Sequence, residues 1–203
     1  MTLKPLLLVL CLLVGCRTIP VNEEPSELNI TADGAPVEVQ IGDVTEELLY
    51  SVKSQLDDTS HKALVLTIDS YGGSVEAGIQ IIKYLEAYIA KNGTRVTCIV
   101  DHKAMSMGLV LLESGACQYR MATSRSLLLA HHASVQIRGG RTAQELRDLA
   151  EELEAVDAAI LEMIARRMGM SYEDLLKKID HKDWMFSAFE ALALNAIDEI
   201  IYV

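Results

Sequence analysis

Ala63-Leu64-Val65-Leu66-Thr67-Ile68 is an almost unbroken apolar run that ends in Asp69-Ser70-Tyr71-Gly72-Gly73, and an amphipathic stretch follows from about Val75 to Lys91. Such a run keeps no polar face for water, so it reads as a strand covered on both sides. Strand, glycine turn and helix in that order make a strand that hands over to a crossover. The rest of the chain repeats the theme. Val37-Glu38-Val39-Gln40-Ile41 alternates as a strand, and Thr45 to Leu56 reads as a helix with Thr45 as cap and Glu46-Glu47 in its first turn. Gly93 closes the second helix, and Arg95 to Val100 is another buried strand. A short helix is expected from Ser106 to Ser114, then strands near Gln118 to Met121 and from Ser126 to Ala130. A long helix runs from Thr142 to Met168, closed by Gly169. Short helices follow at Ser171 to Lys178, with Ser171 as cap, and at Phe189 to Asn195, before a last strand from Glu199 to Tyr202. Strands alternating with helices define an α/β chain of βαβ units, with a mainly parallel sheet and right-handed crossovers.

At 203 residues this is one domain's worth of chain. The formal net charge of −11 excludes a broad basic surface, so nucleic acid is not an expected partner. No apolar run in the sequence reaches the ~18 to 20 residues that span a bilayer as a helix.

Met1 to Cys16 read MTLKPLLLVLCLLVGC: one cation, a short apolar run, then small Gly15 before Cys16. That order is an export signal. Its ending, Leu13-Val14-Gly15-Cys16, resembles the lipobox of bacterial lipoproteins. The resemblance implies diacylglycerol on the Cys16 thiol, cleavage before it and acylation of the new amine. Arg17 stands where an aspartate would resemble an inner-membrane retention signal, so in a Gram-negative cell the outer membrane, on its periplasmic side, is favoured. The expected organisation is a lipoprotein signal at 1–15, a lipidated Cys16 with a flexible tether to 36, and a folded domain at 37–203. Cys98 and Cys117 then lie in an oxidising compartment, where they either pair or stay small buried hydrophobes; spacing alone does not choose. No Cys or His cluster has metal-ligand spacing, and neither metal nor cofactor is expected. On the long helix, Leu146, Leu149, Leu153, Val156, Ile160 and Ile164 form one buried stripe, while Glu145, Asp148, Glu151, Glu152, Glu154 and Asp157 read as a solvated face.

Three segments place chemistry at strand ends. Gly72-Gly73 lets the backbone turn its N–H groups toward a ligand. Ser106, in Ala104-Met105-Ser106-Met107-Gly108, opens a helix and reads on its own as a cap, although the same place suits a nucleophile. His131 and His132 end the apolar strand Leu128-Leu129-Ala130 and, facing opposite ways, cannot both reach Ser106. Gly73, Ser106 and His131 follow at intervals of 33 and 25 residues.

In that order the segments resemble the proteolytic subunit of the Clp protease, a serine peptidase of the ClpP/crotonase superfold, over about Val37 to Val203. Ile68 to Gly73 looks like that family's strand ending in Asn-Ser-Pro-Gly-Gly. Met105-Ser106-Met107-Gly108 looks like its Ala-Ser-Met-Gly nucleophile segment, and Ser126 to His131 like its Ser-Arg-Val-Met-Ile-His. Asp183-Trp184-Met185-Phe186-Ser187-Ala188 with Glu190-Ala191 is similar to Asp-Arg-Phe-Leu-Ser-Ala with its Glu-Ala. The resemblance implies Ser106 as nucleophile, His131 as base and Asp183 as triad carboxylate, with Asp180 and His181 as fallbacks. It also implies an oxyanion hole from the N–H groups of Gly73 and Met107, peptides or unfolded proteins as substrates, and homo-oligomeric rings assembled through the long protruding helix.

Two departures matter. Tyr71 replaces the family's proline. Asp101-His102-Lys103 is charged where the family is small, and Lys103 raises a Ser–Lys dyad of the kind found in signal peptide peptidase A, although three residues is a poor reach to Ser106. Export also argues against the family's ATP-driven unfoldase partners, which are cytoplasmic. The reading is therefore an envelope-anchored serine endopeptidase. Its alternatives are an idle scaffold of the same fold and, less favoured, a crotonase-type acyl-CoA enzyme.

Overall fold

The computed structural model describes residues 35–180 and 182–203. The segments expected to be an export signal, with Cys16, and a tether, as far as residue 34, lie outside the described residues, as does His181. Seven strands are present: β1 (Val37–Ile41), β2 (Ala63–Ser70), β3 (Arg95–Met105), β4 (Tyr119–Thr123), β5 (Leu127–Ala130), β6 (Trp184–Ser187) and β7 (Glu199–Ile201). The helices are α1 (Glu46–Leu56), α2 (Val75–Asn92), α3 (Met107–Leu112), α4 (Ala143–Arg167), α5 (Tyr172–Ile179) and α6 (Ala188–Ala193). No described helix is long and apolar enough to cross a membrane.

Strands β1-β2-β3-β4-β7 pair in parallel in that order, as the alternation of strands and helices requires. β3 is longer than its apolar run implies. Its first half pairs with β4 from Thr97↔Tyr119 to Val100↔Ala122, and its end pairs with β5 from Lys103↔Leu127 to Met105↔Leu129. The polar residues Asp101-His102-Lys103, read from the sequence as the end of the strand, continue it across this fork. β6, which the sequence reading did not contain, runs antiparallel to β5, with Ala130 opposite Trp184 and Leu127 opposite Ser187.

Leu64, Leu66 and Ile68 of β2 are fully buried, while Val65 and Thr67 between them are half-buried. One face of β2 is thus the core, and the other is only partly covered rather than sealed. Thr45 and Ser171 accept a first-turn N–H as the sequence reading expects; Ser187 does the same, and Thr142 forms a reciprocal capping box with Glu145, two caps the sequence reading did not name. The apolar stripe of α4 is buried only in its second half, at Val156, Ile160 and Ile164. Leu149 and Leu153 are half-buried and Leu146 is exposed, because the first half of α4 stands away from the core.

Cys98 on β3 and Cys117 before β4 are joined by a disulfide, with their Cα atoms 5.5 Å apart. Beside it lies a buried polar cluster. Arg120 Nη1 donates to Glu113 Oε2 at 2.6 Å and Arg120 Nη2 to Asp198 Oδ1 at 2.9 Å, while Arg167 Nη2 donates to the Cys117 carbonyl at 2.7 Å. This ties the end of α3 to β4, to the residue before β7 and to the end of α4. Burial pushes the Glu113 carboxyl up to about 7, against the opposing pull of Arg120 and Arg167.

Folding therefore takes up a proton at Glu113 between its ordinary value of 4.5 and about 7. The stability this contributes is fully present below the lower value and is lost as pH rises through the upper one. Each pH unit over which the folded and unfolded states differ by one proton is worth about 1.4 kcal/mol. Glu113→Gln, with no proton to take up, is expected to flatten the fall in stability across this window. Denaturant unfolding of both proteins at a series of pH values checks this, and equal slopes for the two would refute it.

Candidate active site

Ser106 joins β3 to α3 with φ 52° and ψ −122°, in a region of backbone space that a side chain rarely occupies. Its N–H is tied to the Leu129 carbonyl of β5 at 3.0 Å. Its hydroxyl makes no capping bond to α3, so the reading of Ser106 as a helix cap does not hold. Instead Oγ lies 2.7 Å from His131 Nε2.

The glycine turn sits directly against this serine. A Cβ on Gly72, whose φ is +104°, would stand 2.5 Å from the Ser106 Cβ and 2.9 Å from the Met105 carbonyl oxygen. At Gly73, with φ +138°, a Cβ would collide with the Val44 carbonyl. The turn is held from the other side by Val44 N–H to the Gly72 carbonyl at 2.7 Å and Ser74 N–H to the Val44 carbonyl at 2.8 Å. Tyr71, in the place of the family's proline, uses the N–H that proline lacks to donate to Asp43 Oδ1 at 2.8 Å. Among the described residues, the N–H groups of Gly73 and Met107 are given to no hydrogen-bond acceptor. Two donors flanking a serine at the head of a helix can receive negative charge developing on an oxygen beside it.

β6 explains how the carboxylate arrives. Because Ala130 pairs with Trp184, the residues that follow one and precede the other, His131 and Asp183, come alongside. His131 Nδ1 is 3.6 Å from Asp183 Oδ1, longer than a hydrogen bond, and the Asp183 side chain is 68% exposed. Of the fallbacks, Asp180 caps the C-terminus of α5. Lys103 is turned away from the serine: its ammonium is 2.6 Å from Asp69 Oδ1 and lies 4.2 Å over the Tyr71 ring. The hydrogen bond to Asp69 raises its pKa, which holds the proton on the amine and runs against a Ser–Lys dyad.

His132, the neighbour of His131, points elsewhere, with Nδ1 2.6 Å from Asp157 Oδ2. Asp157 is therefore no part of a solvated acidic face. The sequence carries a signal for this: Asp157 falls on the apolar stripe, four residues after Leu153, three before Ile160 and seven before Ile164. A small cavity of about 30 Å³ opens beside Ser106 between Val75, Met107, Val110, Ala130, Ile160 and Ile164. A larger one, about 250 Å³, lies between α2 and α4 and includes neither Ser106 nor His131.

A serine on a strained strand-to-helix turn with a histidine in hydrogen-bond contact is the arrangement of a serine hydrolase. The model of the Clp protease family matches residues 34–203. ATP-dependent Clp protease proteolytic subunit 2 of Thermobifida fusca (strain YX) is 35% identical over 158 residues, covering 78% of this chain and 72% of that protein. Subunit 1 of Streptomyces coelicolor (strain ATCC BAA-471 / A3(2) / M145) is 31% identical over 169 residues, covering 83% and 72%. Subunit 1 of Chlamydia muridarum (strain MoPn / Nigg) is 32% identical over 142 residues, covering 68% and 70%. The chain belongs to the Clp protease family, and with it to the serine peptidases.

Gly72→Ala is expected to remove activity and to lose stability by about 1–3 kcal/mol for a side chain forced into a glycine conformation, with a further loss from the clash against the Ser106 Cβ and the Met105 carbonyl. The check is thermal unfolding alongside peptide hydrolysis. A folded variant that keeps wild-type turnover would show that the turn can retreat from Ser106 at no functional cost.

Proposed function

We propose that this chain is a serine endopeptidase of the bacterial cell envelope, held to the membrane by an acylated Cys16, that cuts peptides or unfolded segments of proteins. The observation that carries the peptidase chemistry is the 2.7 Å approach of His131 Nε2 to Ser106 Oγ. A neutral His131 takes the Oγ proton as Oγ attacks the scissile carbonyl. The oxyanion is received by the N–H groups of Gly73 and Met107, each such donor being worth about 2.7 to 4 kcal/mol in the transition state. His131 then protonates the leaving amine, and water releases the acyl group by the reverse steps. At 3.6 Å and largely exposed, Asp183 acts on the imidazolium as a nearby charge rather than through a short hydrogen bond.

The envelope part of the reading rests on the charge, apolar run and Leu13-Val14-Gly15-Cys16 ending of the leader. A disulfide between Cys98 and Cys117 suits an oxidising compartment. There the protein works without an ATP-driven unfoldase, unlike the relatives whose names call them ATP-dependent. Homo-oligomeric assembly belongs to the same reading. Val135 and Ile137 are 46% and 49% exposed ahead of the protruding α4, apolar surface that a second copy would cover.

Full-length protein in detergent is expected to react with a fluorophosphonate at Ser106, and Ser106→Ala and His131→Ala to abolish labelling. A folded wild type that stays unlabelled at every concentration tried would leave the fold as a scaffold. Mass spectrometry of membrane-extracted protein is expected to find residue 16 as the acylated N-terminus, and Cys16→Ser to retain its leader. An unacylated mature protein would remove the anchor.

A further inference from the structure

Ala130 is the last residue of β5, and no regular element follows until Thr142 caps α4. His131 therefore stands one residue past the end of a hydrogen-bonded ladder. Its contact with Asp183 is 3.6 Å long, to a carboxylate that is mostly in water. Neither feature alone holds the imidazole to the tolerance that proton transfer demands, since a displacement of about 1 Å can cost a hundredfold in rate.

The chain beyond His131 is gripped from α4. Asp157 is 15% exposed, and both of its oxygens are used: Oδ1 accepts the Ala133 N–H at 2.6 Å, and Oδ2 lies 2.6 Å from His132 Nδ1. Short, charge-assisted bonds of this kind are about twice as strong as neutral ones. They fix the two residues after His131, while Ser106 N–H to the Leu129 carbonyl fixes the strand two residues before it. His131 is thus bracketed. Asp157 also borders the cavity beside Ser106, with each of its oxygens already engaged by the segment that follows His131. We propose that Asp157 is a positioning residue, whose carboxylate holds Ala133 and His132 so that His131 stays over Ser106. The proposal rests on the reading of Ser106 and His131 as nucleophile and base.

The experiment uses full-length protein in detergent and a fluorophosphonate, with the inactivation rate at saturation measured apart from the half-saturating concentration. Asp157→Ala is expected to lower the saturated rate at least tenfold and leave half-saturation within twofold. Asp157→Asn, which keeps an oxygen for the Ala133 N–H, is expected to recover most of that loss, and His132→Ala to lose less than Asp157→Ala. Hydrogen exchange over residues 131–135 is expected to be slow in wild type and Asp157→Asn and fast in Asp157→Ala. A labelled wild type with Asp157→Ala reacting at the same rate overturns the positioning role and leaves the peptidase reading intact. Equal losses in Asp157→Ala and Asp157→Asn, in step with lower unfolding midpoints, also overturn it, since a merely structural acid gives that result. A wild type that does not label overturns both readings together.

Discussion

Two stretches of backbone are packed so closely that no side-chain carbon fits between them: the turn at Gly72 and the serine at residue 106. A Cβ at Gly72 would stand 2.5 Å from that of Ser106. Everything about the site follows from keeping that contact. β2 must end where β3 ends, so the turn and the serine share one edge of the sheet. Val44 must reach over to hold the turn from outside. Ser106 must take a positive φ, which lifts its hydroxyl out of the line of β3 and toward His131. Backbone strain of this kind survives only where the surroundings over-determine it. Here they do so through a helix, a strand and a turn that all converge on one residue.

The sheet supplies the convergence by forking. β3 gives its first half to β4 and its last three residues to β5. β5 in turn carries β6, so the two chain segments that bring His131 and Asp183 are attached to the end of the strand that carries Ser106. A single long strand is therefore the ruler against which nucleophile and base are both measured. At the other end of α3, Glu113, Arg120, Asp198 and Arg167 join four separate elements in an environment that resists charge. The short helix carrying Met107 is fixed at both ends.

Much of the architecture was legible because strand runs such as Ala63 to Ile68 and capped helices such as Thr142 to Met168 report their own period. β6 was not, since Trp184-Met185-Phe186-Ser187 has no alternation of its own and becomes a strand by pairing with β5. The fork in β3 was hidden for the same reason: Asp101-His102-Lys103 is polar and reads as a strand's end until a neighbour claims it. Their place at strand ends singled out Ser106 and His131, and resemblance gave them their roles and added Asp183; the structure brings the first two into contact and leaves the third at 3.6 Å. Ser106 read alone looked like a cap; only its partner across the sheet distinguishes the two roles. Asp157 left a trace as an acid on an apolar stripe, whereas Glu113 left none, because a buried acid announces itself only through distant partners.

The disulfide has a further meaning when the chain is followed through it. Cys98 and Cys117 are 19 residues apart in sequence, and Ser106 lies between them. The nucleophile, the turn it sits on and the whole of α3 thus form a covalent ring. Closing a loop of that size removes about 3 kcal/mol of entropy from the unfolded chain in the simplest treatment. For a peptidase the ring brings something besides stability. A single cut anywhere from residue 99 to 116 opens the ring but releases nothing, since both halves stay joined through sulfur.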